Sequence, residues 1–426
     1  MKTAGPILIS LFAVAAAPLS AIADASRADI NPALLYNQAF LVAPEPLSQA
    51  DDAYLGSREG LSQNLPERFD KIVAGYDNQF RLIKQAALST VPCDWGIDLS
   101  QGPATLLPHL ARAKAVAVAM RLRVKWDLQH GRQADARDDL LATLATARNV
   151  SRDGTLISVL VQIAMEAIIC DSVAENFGKF SPDTLKQLAV GFVAAPPRTT
   201  VAASVLMEKV FFHDWLVNRI LDLQKANPAD DSKVMTGIRE LFTSMGEPEP
   251  GQTSDVPASL WEQVTRGGAS TSEDVLKLLR EEGELYQKVS SITALPQSQF
   301  EEKIKELDTQ LHHSSNPFVS LMFPAVEKAK RREVKIEVWL AMLQAAIACK
   351  TQGESAFETV PDPAAQGPFA FSRFVFEGVD RGFKLKSTFE GSGFPETLIF
   401  VEKDGPPFHV DGPYAGKQRG TPASAK

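Results

Sequence analysis

From Pro103 to Lys350 the chain is a succession of apolar stripes at helical spacing. Leu106, Leu110, Ala113, Ala117, Met120, Val124 and Leu128 alternate steps of four and three, which places them on one face of a helix while Arg112, Arg121 and Lys125 lie elsewhere. His130-Gly131 ends it, because glycine accepts the left-handed conformation that follows a helix. Leu140, Leu141, Leu144 and Ala147 mark a second helix so soon afterwards that the two form an antiparallel hairpin. A third helix, from Thr155 to Phe177, carries Leu156, Leu160, Ile163, Ala167, Cys170, Ala174 and Phe177 on one stripe and Val159, Ile169 and Val173 on another. Apolar on most sides, it is expected at the centre.

Ser181-Pro182-Asp183 opens a further helix with a capping serine and a proline at the first position, and Pro196-Pro197 closes it. The next, from Thr199 to Lys225, holds Phe211, Phe212, Trp215 and Leu216, with His213 in register with Leu206, Val210, Val217 and Ile220. A polar stretch from Asn227 to Ser259 comes next, read as a short helix flanked by a mobile loop from Gly246 to Pro257. Helices resume at Ser272, whose hydroxyl is placed to cap Glu273 onward. Phe300, Ile304, Leu307 and Leu311 give another stripe, and Asn316-Pro317 opens a last helical region that Pro324 should bend.

After residue 365 the period shortens. Phe369, Phe371, Phe374 and Phe376 nearly alternate, Gly382 to Lys386 alternates, and Leu398 to Val401 is a short apolar run, so a small antiparallel sheet is predicted. The fold class is therefore mainly α, antiparallel helical hairpins in a repeat-like array or bundle, ending in a small β-meander. The hairpin around Gly131 is similar to a tetratricopeptide unit, without a regular repeat.

Met1-Lys2, the apolar run Ile7 to Ala17, Pro18 and Ala21-Ile22-Ala23 have the anatomy of a secretory signal peptide. The expected organisation is a signal over 1–23, a helical domain over 24–360, a small β region over 361–404 and a disordered Pro/Gly-rich tail over 405–426. The signal implies a periplasmic or secreted location, with no transmembrane segment after cleavage. A net charge of -8 and pI near 5.4 argue against a nucleic-acid partner, which needs a concentrated positive surface. Cys93, Cys170 and Cys349 are far apart, and in an oxidising compartment one disulfide plus one buried thiol is the simplest arithmetic, with the pairing left open.

Cys93-Asp94-Trp95-Gly96-Ile97-Asp98, with Gly102-Pro103-Ala104-Thr105-Leu106-Leu107-Pro108-His109-Leu110, resembles a family of uncharacterised secreted bacterial helical proteins. Leu35 to Phe40, Asp138 to Leu141, Gly154 to Ser158, Gly367 to Phe369 and Gly382 to Leu385 extend the likeness over most of the chain. The resemblance implies no activity, cofactor or catalytic residue.

No zinc-binding, nucleophile-elbow or phosphate-loop signature occurs, and no metal or cofactor is implied. The strongest local candidate is Cys93 with Asp94, Trp95, Asp98 and His109, a thiol that a histidine held by an aspartate would activate. The simpler reading makes Cys93 bridged or part of the core, Trp95 a seal and Asp98 or Ser100 a helix cap. Glu166, with Gln162 and Cys170 on its face, is either a carboxyl with a raised pKa or the partner of a buried arginine such as Arg121 or Arg148. His213 reads as a hydrogen-bonded core residue rather than a metal ligand, and His312-His313 as partners of a helix end. Lys328, Lys330, Arg331, Arg332 and Lys335 form a basic cluster, interrupted by Glu327, Glu333 and Glu337, that either faces solvent or touches anionic lipid or an acidic partner. These features favour a non-catalytic envelope scaffold that binds a protein or peptide. The alternative is a metal-independent hydrolase using Cys93 or Glu166 in a cleft between helices.

Overall fold

The computed structural model describes residues 30–403 apart from 46, 56, 58–59, 61–63, 247–259, 312–313, 315, 366, 377 and 392. The signal segment, the expected mobile loop beyond Gly246, His312-His313 and the tail lie outside the described residues. Those described form 16 α-helices and one three-stranded antiparallel sheet.

Pattern and structure agree best in the first hairpin, α5 (Pro108–Gln129) and α6 (Gln133–Val150), which turns at Gly131 with φ 74°. Leu110, Ala113, Ala117, Met120, Val124 and Leu128 are all buried on α5. Leu106 is the exception and is 84% exposed. The chain from Leu99 to Ala104 turns tightly around a left-handed Gly102, so the helix begins only at Pro108 and leaves Leu106 outside it.

Ahead of the hairpin come α1 (Pro32–Leu41), α2 (Gln49–Leu55), α3 (Arg68–Gly75) and α4 (Asp77–Ala87); α1 packs on α4, and α4 on α6. The third helix of the pattern, α7 (Leu156–Glu175), starts at Thr155, whose hydroxyl accepts the Ser158 N–H. It packs on α5 and α6 and, farther along the chain, on α9 (Val201–Glu208) and α16 (Pro317–Gln352). By length and composition α7 could cross a membrane, yet most of it is buried inside the protein. Between α7 and α9, α8 (Pro182–Ala194) begins at the expected Ser181 cap.

The helix expected from Thr199 to Lys225 is broken by a π-turn. α9 runs into Lys209–Asp214 with π geometry and continues as α10 (Trp215–Ala226). One extra residue in the turn rotates the helix beyond it, so Leu206 and Val210 point outward while His213, Leu216 and Ile220 are buried. Of the five residues predicted to share one register, Leu206, Val210, His213, Val217 and Ile220, only His213 and Ile220 are buried, and Val217 is half-buried. After α11 (Asp231–Gly246) and α12 (Leu260–Arg266), the cap of α13 (Ser272–Gly283) is Thr271, in a reciprocal box with Asp274. Ser272, the predicted cap, instead donates to Asp231 at 2.5 Å.

Two hydrophobic cores result. The larger takes in α1 to α9, α14 (Leu285–Thr293), α15 (Gln297–Leu311), most of α16 and the sheet. The smaller gathers Leu216, Ile220, Val234, Ile238, Phe242, Val264, Leu276 and Leu279 from α10 to α13, with Phe318 from the start of α16. α16 runs through Pro324 as one 36-residue helix and enters both.

β1 (Ala370–Phe376), β2 (Val379–Lys386) and β3 (Thr397–Val401) make a meander in the order β1-β2-β3. Phe383 and Phe400 stack at 5.1 Å on its buried face, and Phe177, just past α7, meets Phe400 edge-on at 5.1 Å. The expected disulfide is not formed: Cys93, Cys170 and Cys349 are three buried free thiols.

Candidate functional site

The structure separates most of the groups that the sequence places side by side. Asp94 turns its loop back by accepting the Gly96 N–H at 2.8 Å, and Asp98 caps the tight turn at Leu99 by accepting the Ser100 N–H at 2.9 Å. These Ser100 bonds hold the Asp98 carboxyl below its usual pKa. Trp95 stacks on Tyr36 at 5.6 Å and on His109 at 4.5 Å, and its indole N–H donates to the Asn149 carbonyl at 2.8 Å. His109, 3% exposed, has its Nε2 3.5 Å from Asp153 Oδ2, so its acidic neighbour is Asp153 rather than Asp94 or Asp98. Burial works against the Asp153 charge. Contacts from His109, Ser158 and Thr155 outweigh it and lower the pKa.

Cys93 forms no polar contact with His109. Burial pushes its thiol up to about 12, with Arg152 opposing and Asp94 adding to the rise, so the nucleophilic thiolate is suppressed. Cys170 is fully buried, and the same cause raises its thiol as well.

Glu166 is completely buried in the middle of α7 and held from two sides, by Arg148 Nε at 3.2 Å and Arg198 Nε at 3.0 Å. Arg148 is one of the two partners expected from sequence. Arg121 instead pairs with Glu175, and Arg198 was missed because it lies on the extended stretch between α8 and α9. Gln162 joins the same seam, accepting from Ser151 at 2.6 Å. Glu166 is thus sealed in an ion-paired seam.

The basic cluster is mostly neutralised. Lys330 pairs with Glu333 at 2.8 Å, Arg331 with Glu327 at 3.1 Å and Lys335 with Glu396 at 3.0 Å, leaving Lys328 and Arg332 exposed. His213 binds Asp214 and the Leu279 carbonyl, each at 2.8 Å. Among the described residues no three His, Cys, Asp or Glu side chains are grouped to hold a metal ion.

Two concave regions escaped sequence reasoning. One is a cleft of about 180 Å³ between the end of α7 and β3, lined by Glu175, Asn176, Lys179 and Glu402. Near it Asp171, one turn before Glu175, has its carboxyl raised to about 7, chiefly by burial and next by Glu175. The other is an open groove of about 790 Å³ between α14 and α15. Ile292, Leu295 and Leu307 form its floor, and Glu302, Lys303 and Glu306 stand on its rim. Lys288 of α14 donates across it to Gln310 of α15 at 3.0 Å. The stripe Phe300, Ile304 and Leu307 announces the buried face of α15, but a groove needs the spacing of two helices, which periodicity does not encode.

No known protein family, curated protein or solved structure matches the chain.

Proposed function

We propose that the chain is a non-catalytic, extracytoplasmic helical scaffold that holds a polypeptide segment in the groove between α14 and α15. The observation that carries this reading is the groove itself: an apolar floor, a polar rim and a volume of about 790 Å³ suit one face of a short amphipathic helix. Lys303 on the rim already pairs with Glu306 at 2.9 Å, whereas Glu302 has no ion-pair partner among the described residues. The segment is accordingly one with apolar residues at helical spacing and a lysine or arginine opposite Glu302. The extracytoplasmic setting rests on the signal-like start of the sequence.

Selection of displayed random peptides on the full chain tests the proposal. Enriched peptides should share the apolar spacing and the cation, and Leu295→Asp should weaken them at least about tenfold, the cost of losing one buried apolar anchor. Glu302→Lys should favour acidic peptides. Peptides without common features, or binding indifferent to both changes, would overturn the reading.

A further inference from the structure

His213 is one of the buried contacts that tie the smaller lobe to the main body, alongside Asn316, which donates to the Leu278 carbonyl, and Phe318 of α16. We propose that His213 is a proton-dependent latch for this lobe: only the doubly protonated ring makes both of its bonds, so the lobe is held under acid conditions and loosened as pH rises.

Nδ1 lies 2.8 Å from Asp214 Oδ1, and Nε2 lies 2.8 Å from the Leu279 carbonyl oxygen. Both partners are acceptors. A carbonyl has no hydrogen to give, and Asp214 is held ionised: burial opposes its charge, but the bonds from Lys209 and His213 outweigh it and lower its pKa. Each ring nitrogen must therefore donate, which only the imidazolium does. With the residue 7% exposed, water has little room to replace a lost bond.

Three features build the contact. The π-turn at Lys209–Asp214 rotates His213 inward. Leu279 is in the last turns of α13, where the negative end of the helix dipole favours a cation. Gly283 makes the approach feasible, because a Cβ there would lie 2.6 Å from Nε2.

The ionisable groups around the ring are mostly acidic, with burial raising the carboxyls of Glu208 and Glu282. Glu208, Lys209 and Asp214 come from the histidine's own helix, Glu282 from α13 and Tyr286 from α14. The turn at Leu99–Ala104, which also packs here, has no titratable side chain. Tyr286 meets the imidazole edge-on at 5.7 Å and donates to Glu282 at 2.7 Å, so that carboxylate is held beside the ring. Loss of one ring proton would leave a nitrogen lone pair facing an oxygen lone pair inside a mostly acidic cluster. The bond to α13 is then the one that opens the lobe.

The experiment is selective ¹⁵N-histidine NMR with amide exchange on the full folded protein between about pH 5 and pH 8. Both His213 ring nitrogens should report N–H at the acid end. Opening of α13, corrected for intrinsic exchange, should increase by up to about tenfold per pH unit, the slope for one proton. His213→Gln should flatten that profile, and Gly283→Ala should raise opening at every pH. A one-proton ring at the acid end would overturn the latch without recourse to a variant. So would a flat α13 profile in the native protein, or an unchanged slope in His213→Gln.

Discussion

Gln162 binds the backbone of Thr199 in both directions, accepting its N–H at 3.2 Å and donating to its carbonyl at 3.2 Å. The same extended stretch is held by Arg148, which donates to the Pro196 carbonyl at 2.9 Å, and by Glu333, which accepts the Val201 N–H at 2.8 Å. Pro196 and Pro197 bring no N–H of their own, and the amides of Thr199 and Val201 are taken by Gln162 and Glu333. Glu166 is the ionic centre of this seam.

Glu166→Ala should therefore be severe, because it leaves two guanidinium groups facing a vacated, buried site. A loss of roughly 3–5 kcal/mol is expected, read from urea unfolding midpoints. Glu166→Gln should lose less, since one side-chain oxygen still accepts from an arginine. An unchanged midpoint in the alanine variant would show that the seam does not stabilise the fold.

The three thiols should be chemically silent in the folded protein. Burial raises Cys93 to about 12 and Cys349 to about 11, and it raises Cys170 as well. A disulfide reagent at mildly alkaline pH should modify them at least roughly a hundredfold more slowly than in denaturant, where all three become titratable. One rapidly modified native thiol would contradict this burial.

Asp171 gives the pH dependence an unusual sign. Its folded pKa, about 7, lies above the ordinary 3.8, so the native state holds a proton that the unfolded chain has released. The carboxyl costs no stability below pH 4. The cost grows as pH rises through the interval from 3.8 to about 7, then levels off. Asp171→Asn should stabilise the protein above neutrality by at most about 4 kcal/mol and leave it unchanged in acid. Denaturation at several pH values measures the slope, and equal gains at both ends would refute the assignment.

Gly382 faces a closer constraint. Its φ is 146°, and a Cβ there would collide with the Phe400 carbonyl of the neighbouring strand. Gly382→Ala should lower stability by about 2 kcal/mol or more and expose Phe383 and Phe400 to fluorescence-quenching probes or proteolysis. A fully stable alanine variant would mean that β3 moves aside without penalty.

Local chemistry was legible in the sequence where neighbours in the chain settle it. The α5 stripe from Leu110 to Leu128, the Ser181 cap and the aromatic alternation around Phe371 were all readable in this way. Leu106 was misplaced because a left-handed Gly102 delays the helix, and Leu206 and Val210 because a π-turn inserts one residue into an otherwise regular period. The cap at α13 moved by one residue because Ser272 is taken by Asp231, 41 positions away in sequence. The site suffered most, for the same reason. Arg198 reaches Glu166 across 32 residues, Leu279 reaches His213 across 66, and the groove exists only between two helices.

The 36 residues of α16 form a rod of about 54 Å at the usual helical rise. Phe318 near one end is embedded in the small core, and Met342, Leu343 and Ala346 near the other in the large one. Both cores are therefore strung on one shaft, so neither can be rebuilt without the helix that the other also holds.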